Sequence, residues 1–103
     1  MAVGVAGAKP RKRSVLQDVN LHERWRAVDA DRNIARDYEL LVSTDLFGWT
    51  VIERRWGRIG TAGQTRRTSF ADRDVAARLV ASIRGRRRSA QRRIGTEYRR
   101  IQV

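Results

Sequence analysis

The chain has 103 residues, room for one small domain, and carries 23 Lys and Arg against 11 Asp and Glu, a formal net charge of +12. With no cysteine and one histidine, His22, it offers no disulfide framework, no thiolate metal site and no Cys/His catalytic pair, so neither a metal nor a cofactor is expected. No apolar run approaches the roughly twenty residues of a membrane span, and residues 1–8 are apolar but followed, not preceded, by basic ones, so no membrane partner and a cytoplasmic, nucleoid-associated location are expected.

Residues 1–20 hold small residues, Pro10 and the basic cluster Lys9-Pro10-Arg11-Lys12-Arg13 with no sustained period, which predicts a flexible basic arm. The domain is expected over 21–101. Residues 22–28 read as a strand with Glu23, Trp25 and Ala27 on one face and Arg24, Arg26 and Val28 on the other. Turn chemistry follows at 29–33. Residues 35–43 alternate Tyr38, Leu40 and Val42 with Asp37, Glu39 and Leu41, a pattern suited to the sheet centre. Residues 43–48 are too long for a two-residue hairpin loop and predict a bulging connection with Leu46 or Phe47 folded back as a plug. A strand over 49–56 sets Trp49, Val51, Glu53 and Arg55 against Thr50, Ile52, Arg54 and Trp56, with Trp25 and Trp49 assigned to the core. Residues 65–70 predict a strand with one wet face, at an edge. Asp72 reads as a helix N-cap, and Val75, Ala76, Leu79, Val80 and Ile83 form one apolar stripe of a helix ending near Gly85. A basic segment, 86–101, closes the domain.

Between the third and fourth strands lies Trp56-Gly57-Arg58-Ile59-Gly60-Thr61-Ala62-Gly63-Gln64. Three glycines there predict a tight irregular turn where backbone must pass close to backbone. They lack a following Lys-Ser/Thr, so this is not a P-loop. The run Trp56-Gly57-Arg58-Ile59-Gly60 with Gly63-Gln64, together with Arg32-Asn33-Ile34-Ala35-Arg36-Asp37-Tyr38-Glu39-Leu40 and Asp45-Leu46-Phe47-Gly48 upstream, resembles the WGR domain family in its bacterial branch. The family's module also occurs in poly(ADP-ribose) polymerases. The resemblance covers roughly 22–101 and implies an α+β fold, a twisted antiparallel sheet of four to five strands with one packed helix. Gly95 and Tyr98 stand where family members carry a Gly and a Tyr. Many members have an aromatic where this chain has Asp37.

All the basic residues except Lys9 and Lys12 are arginine, which forks onto phosphate and stacks on bases. A polyanion is the partner such an excess suits, since neutralised phosphates release counterions. Trp56 has two readings, a core tryptophan closing the sheet end or a nucleic-acid contact. The resemblance implies the second, because the matching tryptophan of the polymerases packs on the sugar at a DNA end. Arg58 either braces the loop or faces phosphate. Alternation puts Arg54 with Trp56 and sends Arg55 to the other face, so Arg54, Arg58 and one of Arg66 or Arg67 form the best group, with Arg86, Arg87 and Arg88 as further nucleic-acid contacts. Gly57, Gly60 and Gly63 shape the loop. Carboxylates sit at turns, caps or, for Glu53, in an arginine-rich strand, so no converging catalytic set is expected. The expectation is a monomeric, non-catalytic module that binds nucleic acid, DNA ahead of RNA, at ends, nicks or backbone with low sequence specificity. The alternative is an adaptor that docks a protein partner through the same loop.

Overall fold

The computed structural model describes residues 18–103, so the expected arm lies outside the described residues except for 18–20, which begin the first strand. The elements are β1 (Asp18–Asp29), a 3-10 turn (Ala30–Arg32), β2 (Ile34–Thr44), β3 (Thr50–Arg58), β4 (Gln64–Phe70), α1 (Arg73–Arg88), α2 (Ala90–Ile94) and β5 (Arg99–Ile101). All five strands pair antiparallel in the order β4-β3-β2-β1-β5. The α+β architecture expected from the sequence is the one observed. The most regular apolar alternation, in β2, occupies the centre, and the wet strand β4 lies at an edge.

Register decides which side chains share a face. Trp25, Tyr38 and Trp56 stand opposite one another across β1, β2 and β3, as do Glu23, Leu40 and Arg54. On this face Trp25, Tyr38, Leu40, Val42 and Ile52 meet Ala76 and Ile83 of α1, with Leu79, Val80, Phe70 and Tyr98 packed at the margin. Leu40 and Ile52 are the largest side chains fully withdrawn from water, and truncating either to Ala would cost about 2–5 kcal/mol. Asp72 caps α1 as expected, its carboxylate accepting from the amides of Asp74 at 2.8 Å and Val75 at 3.4 Å.

Three expectations need correction. Leu46 and Phe47 do not plug the sheet end but are 61% and 55% exposed. Trp49, expected in the core, is 45% exposed. One cause accounts for both: the Asp45 carboxylate accepts from the amides of Phe47 at 2.9 Å and Trp49 at 3.0 Å, and Gly48 turns with φ +82°, making a tight cap beyond the sheet. The third correction concerns α1, which runs past Gly85 to Arg88. The extra turn is anchored on both flanks: Arg84 forks onto the buried Glu23 carboxylate at 3.0 and 2.6 Å, and Arg87 lies on tyrosine faces. Helical order then continues through α2 and stops at Gly95, whose φ of +80° supplies the left-handed cap.

Candidate nucleic-acid interface

Trp56, Gly57 and Arg58 are the last residues of β3 and not part of the turn, which spans 59–63. The hairpin closes by backbone contact. A Cβ on Gly57 would sit 2.7 Å from the Gly63 Cα, and one on Gly63, where φ is +72°, would collide with the Trp56 carbonyl oxygen. The Ile59 amide donates to the Ala35 carbonyl at 2.9 Å, tying the turn to β2. The Thr61 hydroxyl and amide both donate to the Arg58 carbonyl, at 2.7 and 3.0 Å. From the other face, Arg55 Nη1 donates to the Ala62 carbonyl at 3.5 Å.

This hairpin forms one side of a groove of about 580 Å³ on the helix-bearing face. Its floor is Tyr38, Trp56 and Arg54; α1 contributes Leu79, Ser82, Ile83, Arg86 and Arg87; Asn33–Arg36, Arg58 and Tyr98 complete the lining. The Trp56 ring stacks on Tyr38 with centroids 6.2 Å apart and planes at 20°, and the Arg54 guanidinium lies 5.8 Å from the Trp56 ring centre. Arg58 Nη2 donates to the Asn33 side-chain oxygen at 3.1 Å. The Arg87 guanidinium sits 3.9 Å from the Tyr38 ring centre and 4.8 Å from that of Tyr98. Burial lowers its pKa, offset in part by the two tyrosines.

Five arginines line the groove, Arg36, Arg54, Arg58, Arg86 and Arg87, and among the described residues none is ion-paired to a carboxylate. On the opposite face the arginines are paired. Asp37, 5% exposed, accepts from Arg24 at 3.1 and 2.7 Å and from Arg55 at 3.5 Å, with Arg26 at 3.7 Å. Glu39 accepts from Arg55 at 3.2 and 3.3 Å and lies 2.6 Å from His22, and Arg67 meets Glu53 at 3.6 Å. Hydrogen bonds from Arg24, against the opposing effect of burial, hold the Asp37 carboxyl below its usual range, helped by the charges of Arg24, Arg26 and Arg55. For Glu39, burial pushes upward, but hydrogen bonds and charge from His22 and Arg55 outweigh it and the net shift is downward. Asp37 thus has a structural role: it is the buried counter-charge of an arginine cluster.

Of the residues singled out by sequence, the fold brings Trp56, Gly57, Arg54, Arg58, Arg86 and Arg87 together around the groove. Arg66 faces the same side as Arg54, its register partner, but stands on the edge strand outside the groove. Arg67 points to the other face with Glu53. Arg88 is exposed and does not line the groove. Gly60 and Gly63 shape the turn with φ of +90° and +72°. Sequence reasoning missed Arg36, Asn33, Tyr38 and Tyr98 as lining residues. Arg36 was findable by alternation, since it lies on the Tyr38 face two positions away. Tyr98 was not, because its position depends on how the segment after α2 folds back.

A family model described as WGR domain matches residues 23–91. The chain is also similar to the uncharacterized protein y4dW of Sinorhizobium fredii (strain NBRC 101917 / NGR234), at 39% identity over 56 residues, 54% of this chain. That match spans 28% of the relative's length.

Proposed function

The chain belongs to the WGR domain family, a nucleic-acid-binding module type in poly(ADP-ribose) polymerases, and from that premise we propose that its groove binds nucleic acid, DNA ahead of RNA, at ends or nicks. The observation that carries the reading is the set of five guanidiniums without a carboxylate partner around an aromatic floor, on a molecule whose arginines on the opposite sheet face are ion-paired. Unpaired guanidiniums neutralise phosphates and release counterions. Trp56 serves both of its sequence readings: it packs on Tyr38 in the core margin, and its remaining surface lines the groove where a terminal sugar would rest. A groove of about 580 Å³ suits a terminal or unstacked nucleotide better than a continuous duplex. Helix α1 presents neither Asn nor Gln, so nothing on it reads adenine edges, and low sequence specificity follows. The activity is binding, by a monomer, without catalysis.

Titrating fluorescent duplexes that are intact, nicked or 5′-overhung, at two salt concentrations, tests this. Wild type should bind nicked and overhung duplexes more tightly than intact ones with blocked ends, and Arg58→Gln and Trp56→Phe should reduce that preference. Binding that ignores ends and both substitutions would reduce the interface to a basic surface. No binding at low salt would overturn the reading in favour of the adaptor, which docks a protein through the same loop with little salt dependence.

A further inference from the structure

We propose that the groove also captures free phosphorylated mononucleotides, with Arg87 as its inner phosphate contact, an inference that rests on the nucleic-acid reading of the same groove. Among the five lining arginines Arg87 is set apart. Arg36, Arg58 and Arg86 are exposed at the rim, whereas Arg87 is half-buried between Tyr38 and Tyr98. Its Nε and Nη1 are sealed from solvent and have no hydrogen-bond partner among the described residues, while the side chain lines the groove. Tyrosine faces compensate a guanidinium only in part, and a cation deprived of water and of a carboxylate gains more from an arriving anion than a hydrated one does. Burial already weakens its hold on the proton, the expected mark of a cation short of a counter-charge.

The rest of the groove fits the remainder of such a molecule. Its volume of about 580 Å³ falls within the range of small-ligand sites. Asp37 contributes to the lining, but its carboxylate is engaged by Arg24 and Arg55 on the opposite face, so no acid repels a phosphate. Arg58 and Arg86 at the rim and Arg54 on the floor can take a second phosphate, and Trp56 and Tyr98 supply apolar surface for a sugar or base. The chemical class is therefore a nucleoside 5′-mono- or diphosphate.

Isothermal titration of the full chain at low ionic strength would use adenosine, its 5′-monophosphate, its 5′-diphosphate and inorganic pyrophosphate, with a nicked duplex measured alongside. The diphosphate should bind about tenfold or more tighter than either adenosine or pyrophosphate, because each lacks half of the contacts. Arg87→Met should weaken the diphosphate by about tenfold while leaving adenosine nearly unchanged. If Arg87→Met melts out of the folded state, Arg87→Lys, which keeps charge but loses the planar guanidinium held between the two tyrosines, replaces it and should weaken the diphosphate several-fold. Pyrophosphate binding as tightly as the diphosphate would overturn the nucleotide assignment. So would unchanged diphosphate affinity in a folded Arg87 variant. A chain that binds the nicked duplex but no mononucleotide at millimolar concentration would lose this proposal and keep the nucleic-acid reading; binding of neither would remove both.

Discussion

The sorting of arginines into paired and unpaired sets makes the salt dependence of binding a quantitative test. Each phosphate neutralised on duplex DNA contributes about 0.9 to the slope of log affinity against log salt, so five unpaired groove arginines give a slope of about −4.5. A rise from 50 to 200 mM salt then weakens binding roughly 500-fold through these residues alone. Arginines beyond the groove add to the total, so the decisive quantity is the change on removing one. Arg54→Gln should flatten the slope by about 0.9, because its guanidinium lies at the groove floor near the Trp56 ring with, among the described residues, the Tyr38 hydroxyl at 3.5 Å as its one hydrogen-bond partner. Arg67→Gln, which removes a residue paired with Glu53 on the opposite face, should leave the slope unchanged. Fluorescence anisotropy titrations at four or more salt concentrations give each slope directly. Equal flattening by both substitutions would refute the assignment of the groove as the phosphate contact and replace it with a delocalised charge effect.

Substitution in the turn should separate backbone strain from collision. Gly60→Ala, with nothing within 4 Å of the new Cβ, should cost only the left-handed penalty, about 1–2 kcal/mol. Gly63→Ala adds a clash with the Trp56 carbonyl and should cost at least about 1 kcal/mol more, a difference that urea unfolding midpoints will resolve. Asp37→Asn weakens the charge-assisted bonds to Arg24 and should cost about 2 kcal/mol at neutral pH. Because the folded-state pKa values of Asp37 and Glu39 lie below their ordinary ones, their stabilisation is fully present above the unfolded carboxylate range and is lost as pH falls through the folded values. Unfolding midpoints measured from pH 7 down to pH 3 should therefore decline for wild type below about pH 4 and decline less steeply for Asp37→Asn. Phe47→Ser at the exposed hairpin tip should shift stability by no more than about 0.5 kcal/mol, whereas a residue plugging the sheet would cost several times that.

How far the sequence could be read depended on whether a feature was periodic or relational. The central place of β2, the edge place of β4 and the helix stripe were legible because alternation in β2 and the spacing of Ala76, Leu79 and Ile83 are local signals that burial amplifies. The tip was misread because apolar Leu46, Phe47 and Trp49 look like core by composition, while the Asp45 carboxylate that fixes them outward is a turn effect invisible to hydropathy. The end of α1 was misplaced because Gly85 is a local stop signal overridden by long-range partners, Glu23 sixty-one residues away and Tyr38 on β2. The groove was half legible: alternation correctly separated Arg54 from Arg55, but the pairing that brings Arg36 opposite Arg58 appears only once β2 and β3 are in register.

Positive charge alone does not single out the proposed interface; the distribution of the acids does. Glu23 is committed to Arg84 and Arg100, Asp37 and Glu39 to the arginines of the open face, Glu53 to Arg67, and Asp45 and Asp72 to a turn and a cap. Each of these six carboxylates is thereby engaged by a partner or a backbone amide away from the groove. Period-two alternation enforces the separation, because Asp37 and Glu39 flank Tyr38 in sequence yet face the other way. A net charge of +12 spread evenly would attract polyanions weakly everywhere. In the proposed interface five guanidiniums without a carboxylate partner among the described residues stand beside Trp56, so a phosphate there would meet no competing acid, and the close-packed hairpin of Gly57 and Gly63 forms one side of the groove.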